Sequence, residues 1–368
     1  MFFKGFAMLD RRHLLTGMTA AGLVVGAGAR ADVATYTADD FKRVRKFDAH
    51  VHINADPMVF GEQAVADNFE LLTINVDYPD FPSLEAQAQV SGVLHKADPK
   101  RFQFATAFSM QGFGEAGWAD KTIAHIEAAA KAGARGVKVW KNVGLIERDA
   151  SGNLVMLDDV RFDPVIARIE ALGLTFINHQ GEPRNCWLPL EEMTTKNDRA
   201  YFSAHPDYYM YAHPEGPSYE HLMAVRDDFL DRHPKLNFMG AHMASLEWSV
   251  DALSSFLDRF PNATVETAAR MAQLQHQSLR DHDKVRNFFL KYQDRILYGS
   301  DLTLNPDADA AGMRKEIHDV WLAHWRYLAT ADVQAVWDLD AEVKGLALPK
   351  SAIDKIFYGN ALRVLGLA

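Results

Sequence analysis

The run FDAHVHINAD occupies residues 47–56. His50 and His52 lie two apart in it, and Asp48 precedes His50 at the same spacing. Side chains alternate along a strand, so Asp48, His50 and His52 are expected on one face and Phe47, Ala49 and Val51 on the other. If the apolar face packs on helices, the polar face points into an enclosed interior. A pair of histidines facing inward is a reason to look for further polar groups converging on the same place.

The rest of the chain supplies the enclosure. Short runs of apolar and β-branched residues recur, each followed by a helical pattern. They are residues 47–52, 71–77, 102–108, 135–140, 174–179, 236–242, 263–268 and 295–301. Eight strands alternating with helices predict a (β/α)8 TIM barrel. Two connections are long, 180–217 and from 302 to about 349. Both leave strand C-terminal ends, where barrel active sites lie, and are expected to form walls or lids.

Polar residues gather at those same ends. His179 closes the fifth run on the face of Thr175 and Ile177. His242 closes the sixth. Asp301 closes the eighth on the face of Leu297 and Gly299. Lys138 lies in the fourth, opposite in parity to Val137 and Val139. One His-x-His alone carries little information, and a single strand-end Asp is often a helix cap. Together these residues place imidazoles and carboxylates at one mouth, the donor set that a zinc-type cation takes.

Composition narrows the rest. The 368 residues are 48% hydrophobic with a net charge of −10, which disfavours a nucleic-acid partner. A single cysteine, Cys186, excludes an intrachain disulfide and a cysteine-based zinc cluster. There is no G-x-S-x-G elbow and no phosphate-binding P-loop motif. GFGEAG at 112–117 has the letters of a dinucleotide fingerprint. The next strand lacks the acidic residue that would grip a ribose, so a strand-to-helix loop is expected instead. The Tyr- and His-rich stretch at 201–221 is expected to pack its aromatics on itself or to wall a ring-bearing substrate.

Residues 1–31 combine Arg11-Arg12, a glycine-rich apolar run and Ala29-Arg30-Ala31. This resembles a twin-arginine export signal. It implies a precursor carried by that machinery, a periplasmic or exported product, and a mature barrel domain over 32–368.

Six stretches carry a family resemblance: FDAHVHI, GVKVWKNVG, INHQGEP, PKLNFMGAHMASLEW, ILYGSDL and the closing KIFYGNALRVLGL. The set resembles the amidohydrolase superfamily, in the branch of decarboxylases, lactonases and other metal-dependent hydrolases. The resemblance implies that His50, His52, His179 and Asp301 hold a divalent metal, with zinc expected. His242 would be a second-metal ligand or would position water, and Asp301 would also act as general base. Lys138 would either pair with Asp48 or Glu266, or form a carbamate that bridges two metals. Arg184, Trp187, Trp140, Lys141 and Arg270 are the candidates for gripping a small-molecule substrate. The expected activity is hydrolysis of an ester, lactone or amide. Non-oxidative decarboxylation of an aromatic or unsaturated acid is the alternative, and a metal-retaining binding protein is a third reading. A homo-oligomer is left open.

Overall fold

The computed structural model describes residues 34–368; the expected export signal, 1–31, lies outside the described residues. The eight expected strands are present as β1 (Lys46–Ile53), β2 (Phe69–Ile74), β3 (Phe102–Ala107), β4 (Gly136–Val139), β5 (Thr175–Asn178), β6 (Phe238–Gly240), β7 (Thr264–Glu266) and a last strand in two pieces, β8 (Ile296–Leu297) and β9 (Leu302–Leu304). All pairings from β1 through β8 are parallel and follow chain order, and β9 returns to pair with β1. Between the two pieces, Ala49 N donates to Tyr298 O at 2.9 Å and Asp301 N donates to His50 O at 2.8 Å. The last strand therefore bonds β7 at its start and β1 at its end. The sheet is a (β/α)8 TIM barrel.

Helices fill the crossovers, among them Pro57–Ala66, Leu84–Ala97, Trp118–Lys131, Asp163–Ala171, Tyr219–Arg232, Val250–Arg259 and Ala310–Ala329. Several starts are set locally. Ser83, Ser218, Ser249 and Asp309 each accept a first-turn backbone N–H. Among the described residues no helix is long and apolar enough to cross a membrane.

Strand parity sorts the core into two layers. Val137, Val139, Phe176, Phe238, Val265 and Ile296 face the helices. Phe47, Ala49, Leu72, Ile74, Ala105, Ile177, Met239 and Leu297 fill the barrel, and Ala361, Val364 and Leu365 close its lower end. The apolar filling leaves the upper end to polar groups.

β1 departs from simple alternation. Asp48 is opposite Leu71 on β2, yet Val51 is opposite Thr73, so β1 carries one extra residue. This bulge reverses parity. Phe47 and Ala49 lie inside, whereas Val51 and Ile53 lie outside. The expectation that Asp48 shares a face with His50 and His52 is corrected accordingly. Asp48 instead turns to the helix layer. Its Oδ2 accepts from Trp321 Nε1 at 2.8 Å, and its Oδ1 accepts from the N–H groups of Ser300 and His50 at 3.0 and 3.1 Å. Burial pushes its carboxyl up to about 7 against those hydrogen bonds. Its role is to pin β1 to the last strand.

The long connections hold structure of their own. The first contains the helix Lys196–Ala204 and several short turns. The second contains β9, the helix Ala310–Ala329 and an antiparallel hairpin of β10 (Val333–Val336) and β11 (Ala341–Lys344).

Candidate metal centre

β1 delivers the two histidines after its bulge. His50 Nδ1 donates to Glu266 Oε1 at 2.9 Å, and His52 Nδ1 donates to the carbonyl of Ile74 at 2.8 Å. A carbonyl and a carboxylate only accept, so both rings carry hydrogen on Nδ1, and the neutral form of such a ring leaves its lone pair on Nε2. Those Nε2 atoms lie 3.2 Å apart, and each is 3.3 Å from Asp301 Oδ1. With neutral rings, no proton lies between them. Three lone-pair donors thus face one another, an arrangement that repels unless a cation sits among them.

The spacing fits that cation. Ligands about 2.0 Å from a tetrahedral centre stand about 3.3 Å apart, and zinc takes nitrogen and oxygen donors at that range. Burial also pushes the imidazoles of His50, His179 and His242 well below their ordinary value, which keeps them as neutral donors.

Glu266 groups with His50 and His242 as well, but its oxygens are already used. Oε1 accepts His50 Nδ1–H and the His242 backbone N–H at 2.7 Å, while Oε2 accepts the Ala268 N–H. Glu266 is therefore a support that orients His50. Gly299 on the last strand makes room for it: a Cβ there would stand 2.4 Å from Glu266 Oε2.

His179 and His242 stand beside the triangle, with ring centres 4.1 Å apart. His179 Nε2 is buried and has no partner. His242 Nδ1 donates to Ala268 O at 2.9 Å, so its Nε2 also carries a lone pair. His242 is not on β6 but opens a left-handed turn. His242, Met243, Ala244 and Ser245 have φ of 57°, 57°, 52° and 57°. Each such non-glycine residue costs about 1–2 kcal/mol. Buried Arg226 holds the turn by donating to Ala244 O, and Tyr219 OH donates to Ser245 O.

Lys138 faces the interior as its parity predicts, but its Nζ is buried with no hydrogen bond. Neither expected salt bridge forms. Asp48 lies on the other side of the strand wall, and Glu266 accepts three N–H groups instead. Burial pushes Lys138 down to about 8.

These groups open into a mouth cavity of about 370 Å³ that contains His52, Lys138, His179, His242 and Asp301. Trp140, Lys141 and Arg270 also line it, as expected. Lys141 is tied up by an ion pair with Glu182. Among the described residues Arg270 forms no ion pair and its buried Nε is unpaired, though its charge acts on the buried carboxyl of Glu247. Arg184 and Trp187 do not line the cavity, which corrects that expectation. Arg184 lies over Tyr219 and Trp248, and Trp187 donates to Pro217 O at 3.1 Å. Both hold the first long connection together.

The sequence reading missed Tyr78, Phe81, Glu182 and Asp198 in this wall. Tyr78 and Phe81 directly follow β2, so the strand-end rule applied to that strand finds them. The aromatic stretch at 201–221 packs partly on itself and partly against the cavity. Tyr201 and Phe202 line the cavity, while Tyr209 stacks on Phe202 and Tyr211. A larger cavity of about 500 Å³ lies against 112–117, where none of the strand-end histidines reaches. Gly112, Gly114 and Gly117 all take positive φ there, which explains the glycine spacing as a loop.

Comparison with known proteins gives three results. The amidohydrolase family model matches residues 47–367. No curated protein matches significantly. Among solved structures, an uncharacterised TIM-barrel protein from Bordetella bronchiseptica matches with a TM-score of 0.51 and 18% identity, over 88% of this chain and 99% of that one. A 2,6-dihydroxybenzoate decarboxylase complexed with 2,6-dihydroxybenzoate matches with a TM-score of 0.50 and 16% identity, again over 88% and 99%. At these identities the likeness is one of fold.

Proposed function

Because this chain belongs to the amidohydrolase family, we propose that it is a metal-dependent hydrolase of a small ester, lactone or amide that carries an acid group. The observation behind this reading is the triangle of His50 Nε2, His52 Nε2 and Asp301 Oδ1, with sides of 3.2–3.3 Å, of which His52 and Asp301 line the mouth cavity. His50, His52 and Asp301 would hold one zinc ion, with His179 and its free Nε2 as the fourth donor. A bound divalent ion supplies Lewis acidity and makes water nucleophilic at neutral pH.

The chain's own residues do the rest. Asp301 accepts the proton of the attacking water. His242 Nε2 is held toward the mouth by its Nδ1–H bond to Ala268 O and receives a hydrogen bond from that water. Arg270, which lines the cavity and makes no ion pair among the described residues, anchors the acid group of the substrate through its guanidinium fork. Tyr78, Phe81, Trp140 and Tyr201 exclude water around it. Two ions would require Lys138 to become a carbamate; one ion is proposed.

A second reading, non-oxidative decarboxylation, is favoured by Arg270 beside an aromatic wall, a setting that also suits an aromatic acid. The test starts with metal content per chain. Zinc-loaded and metal-free protein are then assayed on lactones, esters, amides and aromatic acids with acid titration and CO2 detection. Zinc-dependent hydrolysis without CO2 supports the first reading. CO2 release without water consumption replaces it with the second. Retained metal without turnover on any substrate overturns both.

A further inference from the structure

The helix Lys196–Ala204 carries Asp198, Tyr201 and Phe202 into the wall of the mouth cavity. Its own sequence does not cap it. Thr195 occupies the cap position without a side-chain hydrogen bond, and its Oγ1 is buried and unpaired. The missing acceptor comes from the other long connection. Asp338, in the turn between β10 and β11, accepts the Asn197 backbone N–H on Oδ1 at 2.7 Å. Beside it, Asp340 pairs with Lys196, whose Nζ lies 5.2 Å over the Trp337 ring.

The hairpin also rests on the core, and Gln334 donates to Ala323 O at 2.9 Å. Among the described residues its two strands pair only with each other, and an isolated hairpin is marginal in water. Trp337 is 70% exposed and Val333 58% exposed, while Val343 is buried in the core and Val336 and Leu339 pack against it. The Lys196–Asp340 pair is exposed and of small value. The contact that reaches the backbone of the cavity-wall helix is the cap.

We propose that Asp338 is a positioning residue for the mouth. From the hairpin it fixes the first turn of the helix Lys196–Ala204 and thereby sets Asp198, Tyr201 and Phe202 against the substrate. This rests on the reading that the mouth cavity is the substrate site.

The test uses the full chain loaded with zinc, with benzoate as the probe and amide hydrogen exchange as the structural readout. Asp338→Ala should speed exchange over 196–204 about fivefold, the size of a lost cap. It should weaken benzoate binding severalfold and leave exchange in the barrel strands unchanged. Asp338→Asn keeps an oxygen for the same N–H and should restore both values. Unchanged exchange in Asp338→Ala overturns the proposal, as does faster exchange with unaltered benzoate binding. If Asp338→Asn is as impaired as Asp338→Ala, the cap is not the cause and the proposal falls. Failure of the parent chain to bind benzoate overturns the substrate-site reading instead, while the exchange data still report the cap.

Discussion

Glu266 Oε1 accepts the Nδ1–H of His50 at 2.9 Å. That bond fixes which nitrogen of His50 faces the mouth. The same carboxylate accepts the backbone N–H of His242 at 2.7 Å, so one side chain on β7 orients groups from β1 and from the turn after β6. Glu266→Gln preserves the shape but brings an NH2 group against N–H donors. Zinc affinity should fall about 10- to 100-fold, the usual cost of losing such a support. A chelator competition titration measures it, and an unchanged affinity would show that Glu266 does not orient the site.

Asp301 is assigned both a ligand oxygen and a proton acceptor. Asp301→Asn removes the basicity and keeps an oxygen. The variant should retain some zinc while turnover falls about a hundredfold or more. Metal analysis beside steady-state kinetics separates the two roles; full activity at full metal occupancy would remove Asp301 from the proton transfer.

Arg270 and Lys138 line the cavity without an ion pair among the described residues, whereas Lys141 is neutralised by Glu182; of the two unpaired cations only Arg270 offers a guanidinium fork to a carboxylate. Arg270→Met should raise KM for an acidic substrate about 10-fold or more, the value of a charge-assisted hydrogen bond, with a smaller change in kcat. An uncharged analogue should lose little. Equal losses for both substrates would argue against an acid anchor.

His324 accepts from or donates to Tyr298 OH at 3.0 Å, and burial pushes its imidazole down to about 4. Folded chains then keep it neutral where unfolded chains protonate it, from about pH 6.5 downward. Stability is full above that pH and is lost progressively as pH falls toward 4. His324→Gln cannot take the proton yet can bond Tyr298. Thermal melts between pH 7 and 4 should show a shallower acid decline for this variant, and parallel curves would count against the assignment.

Export is proposed from Arg11, Arg12 and Ala29-Arg30-Ala31. Replacing both arginines with lysine should leave the precursor inside the cell, followed by fractionation and blotting. Undiminished export of that variant would exclude the twin-arginine route.

Much of this protein was readable from local pattern. Alternation of side chains along strands placed His179, Asp301 and Lys138 inside, and they are inside. Period and spacing gave eight strands and the loop at 112–117, because strand parity and glycine conformations are properties of a few neighbouring residues. Three features depended on the assembled barrel. The bulge in β1 reversed parity after Ala49 and sent Asp48 to Trp321, since register is set by the partner strands β2 and β9. The left-handed turn at 242–245 has no glycine to announce it and persists because Arg226 and Tyr219, from another helix, bind its carbonyls. Among the five candidate substrate residues, Trp140, Lys141 and Arg270 reach the mouth and Arg184 and Trp187 do not. Trp140, Lys141 and Arg270 follow closely on strands, whereas Arg184 and Trp187 lie in the first long connection, and the path of the chain there decides which residues face the cavity.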